Sequence, residues 1–275
     1  MSWRGVIAAC VLGITPTLAA ADGSGLTRLT QRGELLGWEA VGRLDMASGF
    51  CTGTLIAPDL VLTAAHCLYD GESGQMRDTS QMVFRAGYRD GKAIAEVRVA
   101  RGVAPQTYQP LNAPKQQNIR NDVALLQLAQ SIPAITAAPF ALHSGSAPDG
   151  KISVVSYGRG RAEALSWQRE CSLLDRAYGM MAFDCDVTFG SSGAPVFANE
   201  NGRARILSLI SAGVMEGDER LSYGMELPNL VTELKQQLRA LPAARASGTL
   251  SGNAKRIKVN GGRASGAKFV RAPGG

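Results

Sequence analysis

Short β-type segments separated by turn residues predict a mostly β protein, either a barrel or a sandwich, that ends in one helix. Runs rich in branched and aromatic residues recur after Trp38, namely Met82–Ala86, Ile94–Val99, Val123–Leu128, Ile152–Tyr157 and Ile206–Ala212. Leucines at helical spacing then follow near the end of this β-rich part. Both signals stop before residue 243, where the composition changes.

The chain begins with the features of an export signal. Arg4 precedes the apolar run Val6–Leu12, and Ala19–Ala21 offers a small-residue cleavage site. We therefore expect residues 1–21 to be a signal peptide and the mature chain to be secreted or periplasmic, in a compartment that permits disulfides.

A membrane anchor is the alternative interpretation of this segment. Gly13 and Pro16 interrupt its apolar run well short of the ~20 residues that a spanning helix needs. We expect no transmembrane segment here or later in the chain.

Two apolar runs near residue 60 predict a β-hairpin. Thr52–Ile56 and Leu60–Ala64 are joined by the turn residues Ala57–Asp59. Further on, Ser131–Ile135 is a plausible crossover between two halves of the β domain. A helix at about 229–241 should pack on the second half, with the following residues as its cap and apolar stripe: Asn229, Leu230, Leu234, Leu238 and Leu241.

The basic character of the chain is concentrated in its last residues. Residues 243–275 are rich in Gly, Ser and Ala, and they carry seven basic residues and no acidic one. Without them and Arg4, 21 basic residues face 23 acidic ones. We expect a disordered tail, either a solvated extension or a weak contact to an anionic surface, and no specific nucleic-acid binding.

The strongest catalytic signal is Gly190-Ser191-Ser192-Gly193-Ala194-Pro195. The glycines free backbone amides around Ser192 to point at an incoming oxygen, so Ser192 is a candidate nucleophile. A serine hydroxyl needs a base within hydrogen-bond reach and a third group that orients the base.

Two other segments supply these groups. His66 follows the apolar run Leu60–Leu62, and it is one of only two histidines in the chain. Asp122 stands before the apolar residues Val123–Leu126, where a buried carboxylate stays ionised only if it is paired. We interpret His66 as the base, Asp122 as its orienter, and the other histidine, His143, as a polar surface residue.

The order His66, Asp122, Ser192 resembles that of the chymotrypsin-like serine proteases, and the likeness extends roughly from Gly37 to Leu241. The resemblance implies an all-β fold of two six-stranded antiparallel β-barrels with a C-terminal helix. It divides a peptidase domain, residues 22–242, into one barrel at about 37–130 and a second at about 136–228.

The resemblance also implies a mechanism. His66 takes the proton of Ser192 and returns it to the leaving amine, while the amides of Gly190 and Ser192 bind the oxyanion. The substrates would be proteins or peptides. No metal or organic cofactor is implied.

The cysteines fit an exported protein. Of the five, Cys10 would leave with the signal, and the other four allow three pairings that sequence alone cannot separate. We favour Cys51 with Cys67, because the hairpin brings its ends together, and Cys171 with Cys185.

The resemblance also places a specificity pocket, whose base is the residue six before the nucleophile. That residue is Asp186, with Ser211 and Gly213 on one wall and Gly224 on the facing wall. A buried carboxylate there would favour cleavage after Arg or Lys. The alternative is that Asp186 points to solvent or caps a turn.

One departure from the family concerns how the oxyanion loop is ordered. Ser191 stands where many members carry a carboxylate that pairs with the new amino terminus, and Ala194 replaces a usual glycine. We predict that neutral hydrogen bonds and the Cys171–Cys185 bridge hold this loop instead.

Two rival functions remain open. One is a catalytically inactive binding protein on the protease fold, against which the complete triad argues. The other is an esterase-like acyl hydrolase, but the motif order and the β-rich pattern differ from the nucleophile elbow of that fold.

Overall fold

The architecture is described from a computed structural model of the 275-residue chain. The structure describes residues 25–111, 115–144, 151–216 and 219–242. The expected signal peptide and the basic tail lie outside the described residues.

Fourteen strands and two α-helices make up the described part of the chain. The strands are β1 Leu26–Arg28, β2 Val41–Met46, β3 Gly49–Ala57, β4 Leu60–Thr63, β5 Val83–Ala86, β6 Ala95–Val103, β7 Ala124–Leu128, β8 Lys151–Ser156, β9 Ser166–Ala177, β10 Met180–Phe183, β11 Pro195–Glu200, β12 Arg203–Leu209, β13 Ala212–Glu216 and β14 Glu219–Met225. The helices are α1 Lys115–Asn121 and α2 Pro228–Ala240.

The first half is a closed six-stranded antiparallel barrel in the order β2-β3-β4-β7-β6-β5. Its strands can be apolar on both faces because one face fills the barrel and the other faces the second half. In β4, Val61 packs inside the barrel, while Leu60 and Leu62 belong to the core shared between the halves. This period-2 alternation explains why Leu60–Leu62 is a continuous apolar run.

The second half is also antiparallel, but its sheet is curled and not closed by a backbone ladder. Its path is β12-β11-β8-β9-β10-β14-β13. At the seam between β12 and β14, the Ser208 hydroxyl donates to Met225 O (2.7 Å) and accepts from Met225 N (2.9 Å). A side chain at Gly224 would collide with the carbonyl of Leu209. A side-chain hydroxyl thus replaces a strand pairing, and the expected second six-stranded barrel is a half-barrel.

Two local expectations need correction, and one strand is additional to those expected. The run Ile206–Ala212 is not one strand, because β12 ends at Leu209 and β13 starts after two intervening residues. β1, which the sequence did not predict, pairs with β9 of the second sheet. Helix α2 is present, but its N-cap is Leu227 with Pro228 in the first turn, so Asn229 is not the cap.

Helix α2 packs against β6 and β7 of the first barrel, so the expectation that it packs on the second half is wrong. Val231, Leu234 and Leu238 are buried in the shared cluster, whereas Leu241 lies after the helix and is 39% exposed. The apolar stripe is therefore core, as the spacing predicts.

Candidate active site

His66 is positioned by the end of β4. The strand ends at Thr63, and a 3₁₀ turn at Ala65–Leu68 carries the imidazole. The neighbouring Cys67 forms a disulfide with Cys51, which lies on β3. This expected pairing forms, and it ties the His66 turn to the barrel wall.

Asp122 reaches His66 because β4 and β7 pair. Thr63 lies opposite Ala124, so the residues just after β4 and just before β7 emerge at the same edge of the barrel. The buried carboxylate accepts from His66 N (2.8 Å) through Oδ1, and its Oδ2 lies 2.7 Å from His66 Nδ1. Ser211 Oγ donates to the same Oδ2 (2.6 Å).

The pKa of His66 reflects two opposing effects. Burial of the ring disfavours protonation, but the charge and hydrogen bond of Asp122 outweigh it, so the pKa is raised above its usual value. The Nδ1 contact leaves Nε2 as the nitrogen that can exchange a proton with a substrate or a nucleophile.

Ser192 lies in the turn that precedes β11. Its carbonyl accepts from Thr52 N (2.9 Å), and the next amide, Gly193 N, donates to Ile210 O (2.7 Å). Gly193 has φ +76°, and a Cβ there would lie 2.5 Å from Thr52 O and 2.7 Å from Ala64 N. Only glycine lets this turn approach the first barrel so closely.

The two halves of the site meet in one cleft. His66 and Ser192 line the same cavity, of about 690 Å³. Within the residues that the structure describes, their side chains are not hydrogen-bonded to each other. Such contacts are often long in a free enzyme and shorten when a substrate binds.

The amides expected to form an oxyanion hole are available. Phe189 O accepts from Arg159 N (2.7 Å), so the N–H of the same trans peptide, that of Gly190, points the opposite way. Gly190 has φ +95°, and a side chain there would collide with the Phe50 ring. In the described part of the chain, neither Gly190 N nor Ser192 N donates to a protein acceptor.

Ser191 is fully buried under this loop, and its hydroxyl has several hydrogen-bond partners. Its hydroxyl lies 3.1 Å from Tyr157 O, accepts from Thr188 N (3.2 Å) and accepts from Arg161 Nη2 (2.9 Å). The predicted Cys171–Cys185 bridge forms, but the prediction that the hydrogen bonds holding this loop are neutral is wrong, because one of the donors is a guanidinium.

Asp186 lies on the wall of the cleft, and its charge is paired. Its carboxylate forms an ion pair with Arg220, and its backbone amide donates to Gln168 Oε1 (2.7 Å). The Asp186 side chain is 13% exposed and that of Arg220 is 49% exposed. The carboxylate is thus buried in the cleft wall, with its charge paired to Arg220.

The other predicted pocket residues are divided. Ser211 and Gly213 line the cleft. Gly224 instead packs against the carbonyl of Leu209 at the seam of the second sheet, so its missing side chain serves strand packing. The second predicted disulfide, Cys171–Cys185, forms beside Asp186.

The second histidine is not a surface residue. The His143 side chain is 8% exposed, and its Nδ1 lies 3.4 Å from Glu200 Oε2. It lies beside β12, because Leu142 forms a β-bridge with Ile206 and the His143 backbone amide donates to Ile206 O (2.8 Å). Sequence interpretation failed here since a loop of polar residues can still fold over a sheet.

Two groups of ligand-type side chains lie close together in the described residues, around Cys51–Cys67 and around Cys171–Cys185. A metal-binding cysteine must ionise to a thiolate, which a disulfide sulfur cannot do. Neither group is therefore suited to hold a metal while its disulfide is intact.

Sequence reasoning missed three side chains that complete the site: Arg161, Arg220 and the hydroxyl of Ser211. Arg161 and Arg220 lie in polar segments where a basic residue is ordinarily solvated. No spacing rule marks an arginine that folds back under a loop. Ser211 was assigned to the pocket only, and its contact with Asp122 depends on how the two halves dock.

A family model described as "Trypsin-like peptidase domain" matches residues 51–204. The match contains His66, Asp122 and Ser192. It also begins at the first disulfide cysteine.

Among curated proteins, Serine protease 23 of Rattus norvegicus is 30% identical over 168 residues, which cover 54% of this chain and 42% of that protein. Serine protease SP24D of Anopheles gambiae is 31% identical over 169 residues, covering 54% and 58%. Glutamyl endopeptidase of Bacillus licheniformis is 22% identical, covering 60% and 51%. The chain thus spans about half the length of these relatives.

Two solved structures share the fold. A Glu endopeptidase superposes with a TM-score of 0.65 at 19% identity, covering 80% of this chain and 99% of that one. The protease Anisep from Arthrobacter nicotinovorans superposes with a TM-score of 0.59 at 18% identity, covering 74% of this chain and 96% of that one.

Within the described residues, no helix combines the length and apolar character needed to cross a membrane.

Proposed function

Because the chain belongs to the trypsin-like peptidase domain family, we propose that it is a secreted serine endopeptidase that works through an acyl-enzyme on Ser192. One observation carries the proposal. His66, which is paired with the buried Asp122, and Ser192 line the same cleft, next to two amides that have no protein acceptor among the described residues.

In the first step, Ser192 Oγ attacks the carbonyl carbon of the scissile peptide bond. His66 Nε2 takes the hydroxyl proton, and Asp122 stabilises the imidazolium that forms. The carbonyl oxygen becomes an oxyanion, which the amides of Gly190 and Ser192 bind.

The tetrahedral intermediate then collapses. The C–N bond breaks, His66 gives its proton to the leaving amine, and the acyl group remains on Ser192 Oγ. A water molecule, deprotonated by His66, attacks this ester and releases the second product with the serine hydroxyl restored.

Export is part of the proposal. The basic start, apolar run and small residues of 1–21 form the pattern of a removable signal, and two disulfides are compatible with an oxidising compartment. An export assay with the full chain and with residues 2–21 deleted tests this part.

The residue preferred on the amino side of the scissile bond follows from charges in the cleft. Cleavage after Arg or Lys stays a prediction, and such a side chain would have to displace Arg220 from Asp186. Cleavage after Glu or Asp is a second candidate, because Arg220 has guanidinium donors that Asp186 does not use. Profiling a peptide library with all residues at this position decides between the two.

The central test is covalent labelling with a fluorophosphonate, which reacts with an activated serine. We expect the oxidised wild type to be labelled and to cleave peptides, and Ser192→Ala to do neither. Absence of both reactions in correctly folded wild type would favour the inactive binding protein instead.

A further inference from the structure

The loop under the oxyanion amides rests on a guanidinium, and we propose that Arg161 is the positioning residue that orders the oxyanion hole by holding Ser191. This inference rests on the proposed function. Arg161 touches no substrate in this arrangement, and it acts through the hydroxyl of the residue between the two amides.

Three hydrogen bonds define the arrangement of Arg161. Its Nη1 donates to Ser156 O (2.6 Å), and its Nη2 donates to Ser156 Oγ (3.0 Å) and to Ser191 Oγ (2.9 Å). Both serines are fully buried, so water cannot reach their polar atoms. Arg161 supplies the hydrogen bonds that these buried groups need. The planar guanidinium is suited to bridging two such groups at once.

Gly158 provides the space that the guanidinium occupies. A Cβ at Gly158 would lie 2.7 Å from Thr188 Cγ2, 2.8 Å from Arg161 Cζ and 2.9 Å from Arg161 Nε. Any other residue would push the guanidinium away or force the loop to move. The glycine and the arginine thus form one fitted unit, three residues apart in the chain.

The charge of Arg161 is kept without a directly bonded carboxylate. Among the described residues, its hydrogen-bond partners are a carbonyl and two hydroxyls. Burial lowers the pKa of Arg161 to about 10, and the more distant charge of Asp186 offsets part of this effect. A half-buried cation with neutral partners is costly, which indicates a role beyond solubility.

The same short segment fixes the oxyanion loop at a second point. Arg159 N donates to Phe189 O (2.7 Å), and the Arg159 guanidinium lies 4.2 Å from the centre of the Phe189 ring. Gly190 therefore lies between two anchored residues, Phe189 and Ser191. Its amide keeps its direction only while both anchors hold.

Steady-state kinetics of Arg161→Met test the proposal, with Arg239→Met as the matched control that removes an exposed arginine of helix α2. We expect kcat of Arg161→Met to fall by about 10²-fold, the usual cost of a lost oxyanion donor. KM should change less than kcat, and Arg161→Lys should recover part of the loss. Arg239→Met should behave as wild type.

Two further measurements separate positioning from mere stability. Methylguanidinium added to Arg161→Ala should raise its kcat, while an equal concentration of sodium chloride should not. The losses in Arg161→Met and Ser191→Ala should be non-additive in the double variant, since both break one contact.

Several outcomes would overturn the proposal. These are wild-type kcat in Arg161→Met, additive losses in the double variant, or no rescue by methylguanidinium. If Arg161→Met does not fold, Gly158→Ala, which crowds the guanidinium and the Thr188 side chain without removing either, must show the kcat loss, and wild-type kcat there would equally refute the idea. If the wild type neither cleaves peptides nor reacts with fluorophosphonate, the proposed function fails instead.

Discussion

The two halves of the candidate site are held in different ways. His66 and Asp122 lie at the ends of paired strands in a closed barrel, and the β4–β7 register alone brings them to one edge. Ser192 and the oxyanion amides lie in a loop before β11, which individual side chains hold from below. Strand pairing fixes a residue through many backbone hydrogen bonds, whereas the position of the loop depends on a few side-chain contacts.

This difference has a consequence for substitutions. On the barrel side, only the residues that carry chemistry and the Cys51–Cys67 bridge beside His66 should be sensitive, because strand pairing fixes the rest of the backbone. On the loop side, residues that touch no substrate, such as Thr52, Arg161 and Ser191, should also matter. Thr52 Oγ1 donates to Gly190 O (2.8 Å) and accepts from Tyr157 N (3.1 Å).

We expect the greatest loss of activity when the negative charge of Asp122 is removed. Asp122→Asn should lower kcat by about 10⁴-fold. This is the loss that the same aspartate-to-asparagine change causes in a Ser-His-Asp triad of this type. The amide favours the wrong tautomer of His66 while the strand pairing persists. Progress curves with a peptide substrate measure kcat, and a wild-type thermal transition controls for folding. A loss below tenfold would contradict the role of Asp122.

The two disulfides allow the two halves of the site to be compared directly, because each half has one. They close loops of similar length, 16 and 14 residues. Replacing either pair by alanines should lower the free energy of unfolding by about 3 kcal/mol. The functional effects should differ. Loss of Cys51–Cys67 should lower kcat through His66, and loss of Cys171–Cys185 should raise KM through Asp186.

Urea unfolding and steady-state kinetics below the transition measure both quantities. Identical kinetic changes in the two variants would mean that the bridges act only on global stability.

Arg220→Ala probes the loop side at the pocket. Without the guanidinium, Asp186 can bind a substrate cation, so the ratio of kcat/KM for Arg or Lys over Glu should rise by about fivefold, the equivalent of the ~1 kcal/mol that a partly exposed ion pair provides. A peptide library in which only this residue varies measures the ratio. Arg239→Met serves as the control, and an unchanged ratio would exclude Arg220 as a specificity determinant.

The smallest effect concerns pH. Since burial is outweighed by Asp122, the pKa of His66 is raised, so kcat/KM should fall as pH drops through a value above the ordinary histidine range. Stability has the opposite sign. The raised pKa stabilises the fold at low pH, and this contribution is lost as pH rises through the folded-state pKa.

A pH–rate profile and thermal transitions measured over the same range test this pair of trends. In Asp122→Asn the inflection of the rate should move to lower pH. Stability and activity that rise together across this range would contradict the assignment of His66.

Much of the fold could be predicted because it depends on local patterns. The hairpin at Thr52–Ala64, the strands β5 to β8 and helix α2 follow from alternation, turn residues and helical spacing. The unclosed second sheet could not be predicted, since its seam depends on a hydroxyl of Ser208 that bonds a strand distant in sequence. The pairing of β1 with β9 is likewise non-local.

Short segments of the chain encode the types of chemical group and their order: a histidine after one apolar strand, an aspartate before another, and a serine between glycines. These are local features, encoded within a few residues of each group. Tertiary structure alone decided what surrounds them, namely that Asp186 is paired with Arg220, that Ser211 bonds Asp122, and that Arg161 supports Ser191. Long side chains choose partners by the geometry of packed loops, and that geometry exists only when the two halves have docked.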